Sequence, residues 1–226
     1  TFYQGRRDGG WGKSDESWII EPFDPARTRF SQFTSTDEDN SYPMRSMFIG
    51  SNEMQIREVD NVHKIETNVT YFVLPEEQFG AFVRRTTISN IDKQRSVHLS
   101  ILDGLARIQP VGGKINELLK NIGRTLEGWM GVYSANHNTM PFFRLSTEPL
   151  DSAAVVVEES GHFVLSYIEN EEKDLLPIVY DTNKVFGHDS SLMRPVGLYD
   201  KTVKDILDGK QYGFAKTSSA FAAVND

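Results

Sequence analysis

The chain has 226 residues, of which 38% are hydrophobic and 11% aromatic, enough to build one large folded core. Its net charge of −8 at pH 7 excludes nucleic acid and anionic membranes as expected partners, since both are bound mainly through basic side chains. The absence of cysteine excludes disulfides and thiol chemistry and fits a reducing compartment, so we expect a cytoplasmic protein.

Residues 1–42 show no helix or strand periodicity, and they combine glycine and proline with several aromatic side chains. Flexible linkers contain few aromatic residues, so this segment is predicted to be an ordered arm packed on a larger body. The acidic turn at 35–40 lacks the glycine and the distal glutamate of a calcium loop and is predicted to be solvated. Because the chain lacks an initiator Met and an apolar leader, we expect a fragment of a longer protein.

The central part of the chain predicts a series of strands. Residues 44–48 and 54–59 alternate loosely on either side of a Gly-Ser-Asn turn. Residues 63–74, 81–90 and 95–105 alternate β-branched and aromatic residues with polar ones, and short polar segments join them. These last three runs predict an antiparallel meander.

The rest of the chain predicts one longer helix followed by further strands. Apolar residues at three- and four-residue spacings predict a helix over 115–130. A hairpin is predicted from the strands 153–157 and 162–168. Further predicted elements are a strand at 178–180, a short helix at 203–207 closed by Gly209, and a closing strand at 220–224. We therefore predict a mostly-β, two-sheet antiparallel sandwich in which 43–226 form a single domain.

The common catalytic and metal-binding motifs are absent from the sequence. The five histidines form no close-spaced ligand pair, and no nucleophile elbow of the Gly-x-Ser-x-Gly type occurs. Gly112-Gly113-Lys114 resembles the end of a phosphate-binding loop, but Ile115 stands where that motif needs Ser or Thr. The sequence therefore predicts no catalytic residue and no metal site.

Four residues are candidates for sugar binding, and each has an alternative interpretation. Trp11 and Trp18 could stack on sugar rings, or they could anchor the arm to the sandwich. His98 lies within a predicted strand, where it is either a site residue or a solvent-facing histidine. Asp103 precedes Gly104 at the predicted end of a strand, where it is either a functional acid or a turn residue.

The central strands carry three motifs, which are YFVLP at 71–75, RRTTISN at 84–90 and VHLSI at 97–101. Together they resemble the N-terminal β-sandwich domain of glycoside phosphorylases of the cellobiose and cellodextrin phosphorylase type, formerly glycosyltransferase family 36. In that family a hydrophobic run ending in proline precedes Arg-x-Thr and Asn at a strand end, and then an alternating strand. The match covers 43–110, whereas the charged loop at 169–174 and the Gly-rich arm depart from the family pattern.

The resemblance implies a supersandwich similar to galactose mutarotase, followed in the whole protein by a catalytic (α/α)6 helical barrel. In such enzymes the barrel supplies the acid that protonates the glycosidic oxygen, and it binds the inorganic phosphate that attacks the anomeric carbon. That acid has no matching position in these 226 residues. The sandwich shapes one rim of the sugar site and contributes to a subunit interface. The implied partners are an oligo- or disaccharide, the barrel of the same protein and a second copy in a homodimer, with phosphate as co-substrate and no cofactor.

Three functions remain as alternatives. The first is a non-catalytic domain of a phosphorylase that cleaves a β-glucoside with phosphate to give a sugar 1-phosphate. The second is a stand-alone carbohydrate-binding module, which predicts exposed aromatic residues on one sheet face or loop rim. The third is a mutarotase-like epimerase, which needs a histidine such as His98 and a carboxylate on one open sheet face.

Overall fold

The structure, a computed structural model, describes residues 1–9, 14–27, 42–110, 120–121, 125–133, 138–148, 156–157, 159–169, 174–212 and 218–225. The chain groups into two compact units, the first formed by 4–99 with Phe2 and the second by 100–226 with Thr1 and Tyr3. Among the described residues, no helix is both long enough and apolar enough to cross a membrane. The division into an arm at 1–42 and a sandwich domain at 43–226 stays a prediction.

The first unit consists of strands and one turn of 3-10 helix. Its elements are β1 (Phe2–Arg7), β2 (Glu16–Ile20), the 3-10 helix Pro25–Arg27, β3 (Met44–Ile49), β4 (Glu53–Asp60), β5 (Ile65–Val73) and β6 (Phe82–Asn90). β1 pairs with β2, so the segment predicted as an arm contains regular strands, although its sequence shows no strand periodicity. The strands β3, β4, β5 and β6 form an antiparallel meander in chain order. The strands predicted at 44–48, 54–59, 63–74 and 81–90 are thereby confirmed.

Side-chain alternation explains why the meander forms. On β5, Ile65, Thr67 and Val69 are buried, whereas Glu66 and Asn68 between them are only half-buried. A period of two places the first three residues on the same face of the sheet. That face therefore supplies the core of the first unit.

The third strand of the predicted meander leaves this sheet, so that part of the prediction is wrong. It forms β7 (His98–Ile108), which pairs antiparallel with β14 (Ser218–Val224). The strand predicted at 220–224 is confirmed in β14. Alternating patterns identify strands but not their partners, because any exposed backbone edge satisfies the same hydrogen bonds.

Asp103 and Gly104 lie within β7, so the interpretation of Asp103 as a turn residue is wrong. Asp103 pairs with Ala222 of β14, and the strand continues well past it. Gly104 is required here by a close approach of the two strands. A Cβ at this position would lie 1.8 Å from the carbonyl oxygen of Ala220.

The second unit combines short strands and short helices. In chain order after β7 they are α1 (Thr125–Gly128), β8 (Met130–Tyr133), β9 (Phe142–Leu145), β10 (Thr147–Glu148), β11 (Val156–Val157), β12 (His162–Phe163), β13 (Ile178–Asp181), α2 (Thr182–Phe186), α3 (Gly197–Asp200), α4 (Val203–Asp208) and β14. β14 lies between β13 and β7, β9 lies between β12 and β8, and β10 pairs with β11. All of these pairs are antiparallel.

Most of the helix predicted at 115–130 lies outside the described residues. The described part is helical at 120–121 and in α1, and Met130 begins β8, so the helix ends before the predicted residue. The short helix predicted at 203–207 is confirmed as α4, with Gly209 as its C-cap. Thr202 and Asp205 form a capping box at its start.

The hairpin predicted from 153–157 and 162–168 is wrong. The described residues of the first strand, Val156–Val157, pair with Thr147–Glu148, and His162–Phe163 pairs with β9. Residues 164–168 form no regular strand. Both segments find partners on earlier strands, which a local turn pattern does not encode.

The core of the second unit combines residues from two sheets. Phe143, Ile178, Tyr180, Ala220 and Ala222 form a buried cluster contributed by β9, β13 and β14. The predicted class, mostly β with antiparallel sheets as in β-sandwich-type folds, is confirmed.

Candidate functional site

Three aromatic side chains lie side by side across the sheet formed by β8, β9 and β12. Tyr133 pairs with Phe142, and Phe142 pairs with Phe163. Residues directly paired in antiparallel strands share one face of the sheet. Tyr133 and Phe163 are 50% and 57% exposed, so this face points outward. We name Tyr133, Phe142 and Phe163 the aromatic row.

The core beneath the sheet fixes the direction of the aromatic row. Phe143, the neighbour of Phe142 on β9, is 0% exposed and belongs to the core cluster. Successive residues of a strand point to opposite faces, so burial of Phe143 turns Phe142 outward. Gly161 makes room for the Phe142 ring, because a Cβ at position 161 would lie 2.7 Å from it.

Arg144 adds a positive charge to the same face of β9. Its guanidinium carbon lies 4.6 Å from the centre of the Tyr133 ring, and its Nη2 donates to the Tyr133 hydroxyl at 3.2 Å. The buried Nε–H of Arg144 has no acceptor among the described residues. A guanidinium carries several N–H donors, so most of the donors of Arg144 are not used by Tyr133.

The aromatic row and Arg144 have the chemistry of a surface that binds sugars. Aromatic faces contact the apolar C–H faces of sugar rings, while neighbouring donors bind hydroxyl groups. Leu165 and Tyr167, which follow β12 in the chain, are also exposed. A row of neighbouring exposed aromatic side chains commonly marks an interaction site.

The predicted sugar-binding residue Trp18 lies in the first unit and packs against neighbouring residues. Its ring is edge-on to that of His63, with 5.2 Å between centroids and 63° between planes. It also lies against the backbone at Gly5, where a Cβ would be 1.3 Å from the ring. These contacts support the interpretation that Trp18 anchors the N-terminal segment. Trp11 lies outside the described residues.

The two other predicted sugar-binding residues, His98 and Asp103, both lie on β7. His98 is exposed at the first position of the strand, and Asp103 is half-buried. The Asp103 carboxylate accepts a hydrogen bond from the hydroxyl of Thr1 at 2.5 Å. The residue numbers of His98 and Asp103 differ by an odd number, and successive residues of a strand alternate between faces, so these two side chains point to opposite faces. The strand therefore does not bring them together, and a sugar-binding role for either stays a prediction.

Two buried carboxylates on β4 form a charged cluster in the first unit. Glu58, which is 2% exposed, accepts from Arg45 Nε at 2.7 Å. Asp60 accepts from Arg27 Nη2 at 2.5 Å, and its Oδ2 lies 2.9 Å from His63 Nδ1. The cluster ties β4 to β3 and to the 3-10 helix.

The cluster stabilises the charged form of Asp60. Burial by itself would raise the pKa of Asp60, but hydrogen bonds from His63 and Arg27 outweigh it and hold that pKa well below its usual range. A general acid or base works best when its pKa is near the working pH. We therefore assign the cluster to the architecture of the first unit. Among the described residues, no group of three His, Cys, Asp or Glu is placed to hold a metal ion.

Sequence reasoning missed the aromatic row, Arg144 and the charged cluster. The cluster had a local signal, since Asp60 and His63 are three residues apart and the Asp60 carboxylate accepts the backbone N–H groups of Val62 and His63. The aromatic row had no local signal, because its members come from three strands.

Comparisons with known proteins add no support to the resemblance to glycoside phosphorylases, which rests on the sequence motifs alone. No protein-family model matches the chain. No curated protein matches it either. The motifs at 71–75, 84–90 and 97–101 therefore remain the basis for the phosphorylase comparison.

Proposed function

We propose that the chain is a carbohydrate-binding β-sandwich-type domain of a glycoside phosphorylase, and that the aromatic row is its saccharide-binding surface. The observation that carries the proposal is the pairing of Tyr133, Phe142 and Phe163 on one outward face. The resemblance of the three motifs at 71–75, 84–90 and 97–101 supports the phosphorylase context, and they lie at the end of β5, on β6 and at the start of β7. The helical barrel of the same protein then supplies the catalytic acid and the phosphate site, and this domain shapes the sugar site and the subunit interface.

The dimensions of the aromatic row suit a short saccharide. Neighbouring strands lie about 4.8 Å apart, so a row across three strands spans about 10 Å. That distance is on the scale of a disaccharide. Each ring is held on a paired strand, so the surface needs little ordering when a sugar binds.

Calorimetric titration of the chain with cellotetraose tests the binding surface. We expect Phe163→Ala and Tyr133→Ala each to weaken binding by at least about tenfold, because each removes one stacking face. Phe48→Ala is a matched control, since Phe48 lies on β3 and is 55% exposed. Unchanged affinity in both row variants, or equal loss in the control, would contradict the proposed site.

A separate assay tests the phosphorylase context. The full-length protein is incubated with β-glucosides and inorganic phosphate, and release of a sugar 1-phosphate is measured. We expect release that depends on phosphate. Saccharide binding through the aromatic row without any phosphorolysis would favour the second candidate, a stand-alone carbohydrate-binding module.

A further inference from the structure

We infer that the aromatic row and Arg144 select a saccharide that carries a carboxylate, that is, a uronic-acid residue in a β-linked chain. This inference rests on the proposed function and names the ligand class of the same surface. It follows from the position and the unused donors of Arg144 beside the aromatic row.

Arg144 is a cation without a carboxylate partner among the described residues. Its contacts there are the stacking on Tyr133 and one hydrogen bond to the Tyr133 hydroxyl. Its buried Nε–H has no acceptor among those residues. Since that Nε–H is buried, a ligand would instead meet the Nη groups, whose N–H donors are mostly not used by Tyr133 and whose planar arrangement matches a carboxylate.

The position of Arg144 favours a ligand with both a ring and a charge. Phe142 and Arg144 share one face of β9, and Tyr133 lies beside both. A sugar ring stacked on Phe142 would place a ring substituent close to Arg144. The net charge of the chain is −8, so its overall field opposes anions and only a local cation can produce a preference for them.

The test compares two β-1,4-linked ligands that differ at one carbon. Cello-oligosaccharides carry CH2OH at C6, and the corresponding cello-oligouronates carry a carboxylate there. We expect the intact chain to bind the uronate about tenfold more tightly, equivalent to about 1.4 kcal/mol, with a preference that weakens as salt is added. Arg144→Gln should remove the preference for the uronate, whereas the control Phe48→Ala, on β3 and outside this surface, should leave the affinity for both ligands unchanged.

Two further variants separate charge from positioning. Tyr133→Phe keeps the ring but removes the hydroxyl that Arg144 contacts, and it should retain the preference. Arg144→Lys keeps the charge without the planar fork, and this variant should retain only part of the preference for the uronate.

Each outcome has one meaning. Equal affinity for the two ligands, or a preference that survives Arg144→Gln, overturns the inference and leaves the proposed function intact. Failure of both ligands to bind overturns the proposed function as well.

Discussion

Replacing Phe143 with alanine should destabilise the chain far more than replacing Phe163. Phe143 is 0% exposed in the core cluster, so its removal leaves a cavity and costs about 3–5 kcal/mol. Phe163 is 57% exposed, so less than half of its surface, or roughly 80 Å², is removed from water. At about 25 cal/mol per Å² this amounts to about 2 kcal/mol before the part that alanine retains is subtracted, which leaves about 1 kcal/mol.

Urea unfolding followed by circular dichroism measures both free energies. The two substitutions have the same chemistry, so the comparison isolates the direction of the side chains on β9 and β12. Equal losses of stability, or a larger loss for Phe163→Ala, would refute the conclusion that the aromatic row faces outward. That result would also remove the physical basis of the proposed saccharide surface.

Three other predictions concern the packing and charges of the two units. Arg45→Met should cost about 3 kcal/mol in urea unfolding, because it leaves the Glu58 carboxylate buried without its main partner. Because the pKa of Asp60 is lowered in the folded chain, its stabilising effect is complete above the unfolded value of about 3.9 and is lost as the pH falls. Thermal unfolding should therefore show Tm falling below about pH 4, with a smaller fall in Asp60→Asn. Gly104→Ala should lower Tm by several degrees, since the new Cβ would collide with β14, whereas the same change at Gly80, where no atom lies within 4 Å, should have little effect.

The elements predicted well are those whose partners are close in sequence. β3 and β4 are separated by a short turn in which Gly50 N donates to Glu53 O at 2.8 Å. Their alternating residues and that turn together specify a hairpin. Helix α4 is specified by its own ends, the capping box at Thr202 and the C-cap at Gly209.

The elements predicted wrongly depend on partners that are distant in sequence. β7 pairs with β14, more than a hundred residues later, although its alternating pattern is equally compatible with pairing to β6. Asp103-Gly104 has the composition of a turn, and only the approach of Ala220 explains why glycine stands inside a strand.

The aromatic row was also missed, because the direction of its side chains depends on strands that are distant in sequence. The pair Phe142-Phe143 reads in the sequence as two equivalent hydrophobic residues, yet one belongs to the core and the other faces outward. Which residue is buried depends on the faces that β13 and β14 present to β9, and those strands lie far along the chain. Once Phe143 is buried, strand geometry places Phe142 and Arg144 together on the outer face. The packing of the core thus determines which side chains remain available to a ligand, so a core variant that reverses the faces of β9 should abolish saccharide binding even if the chain still folds.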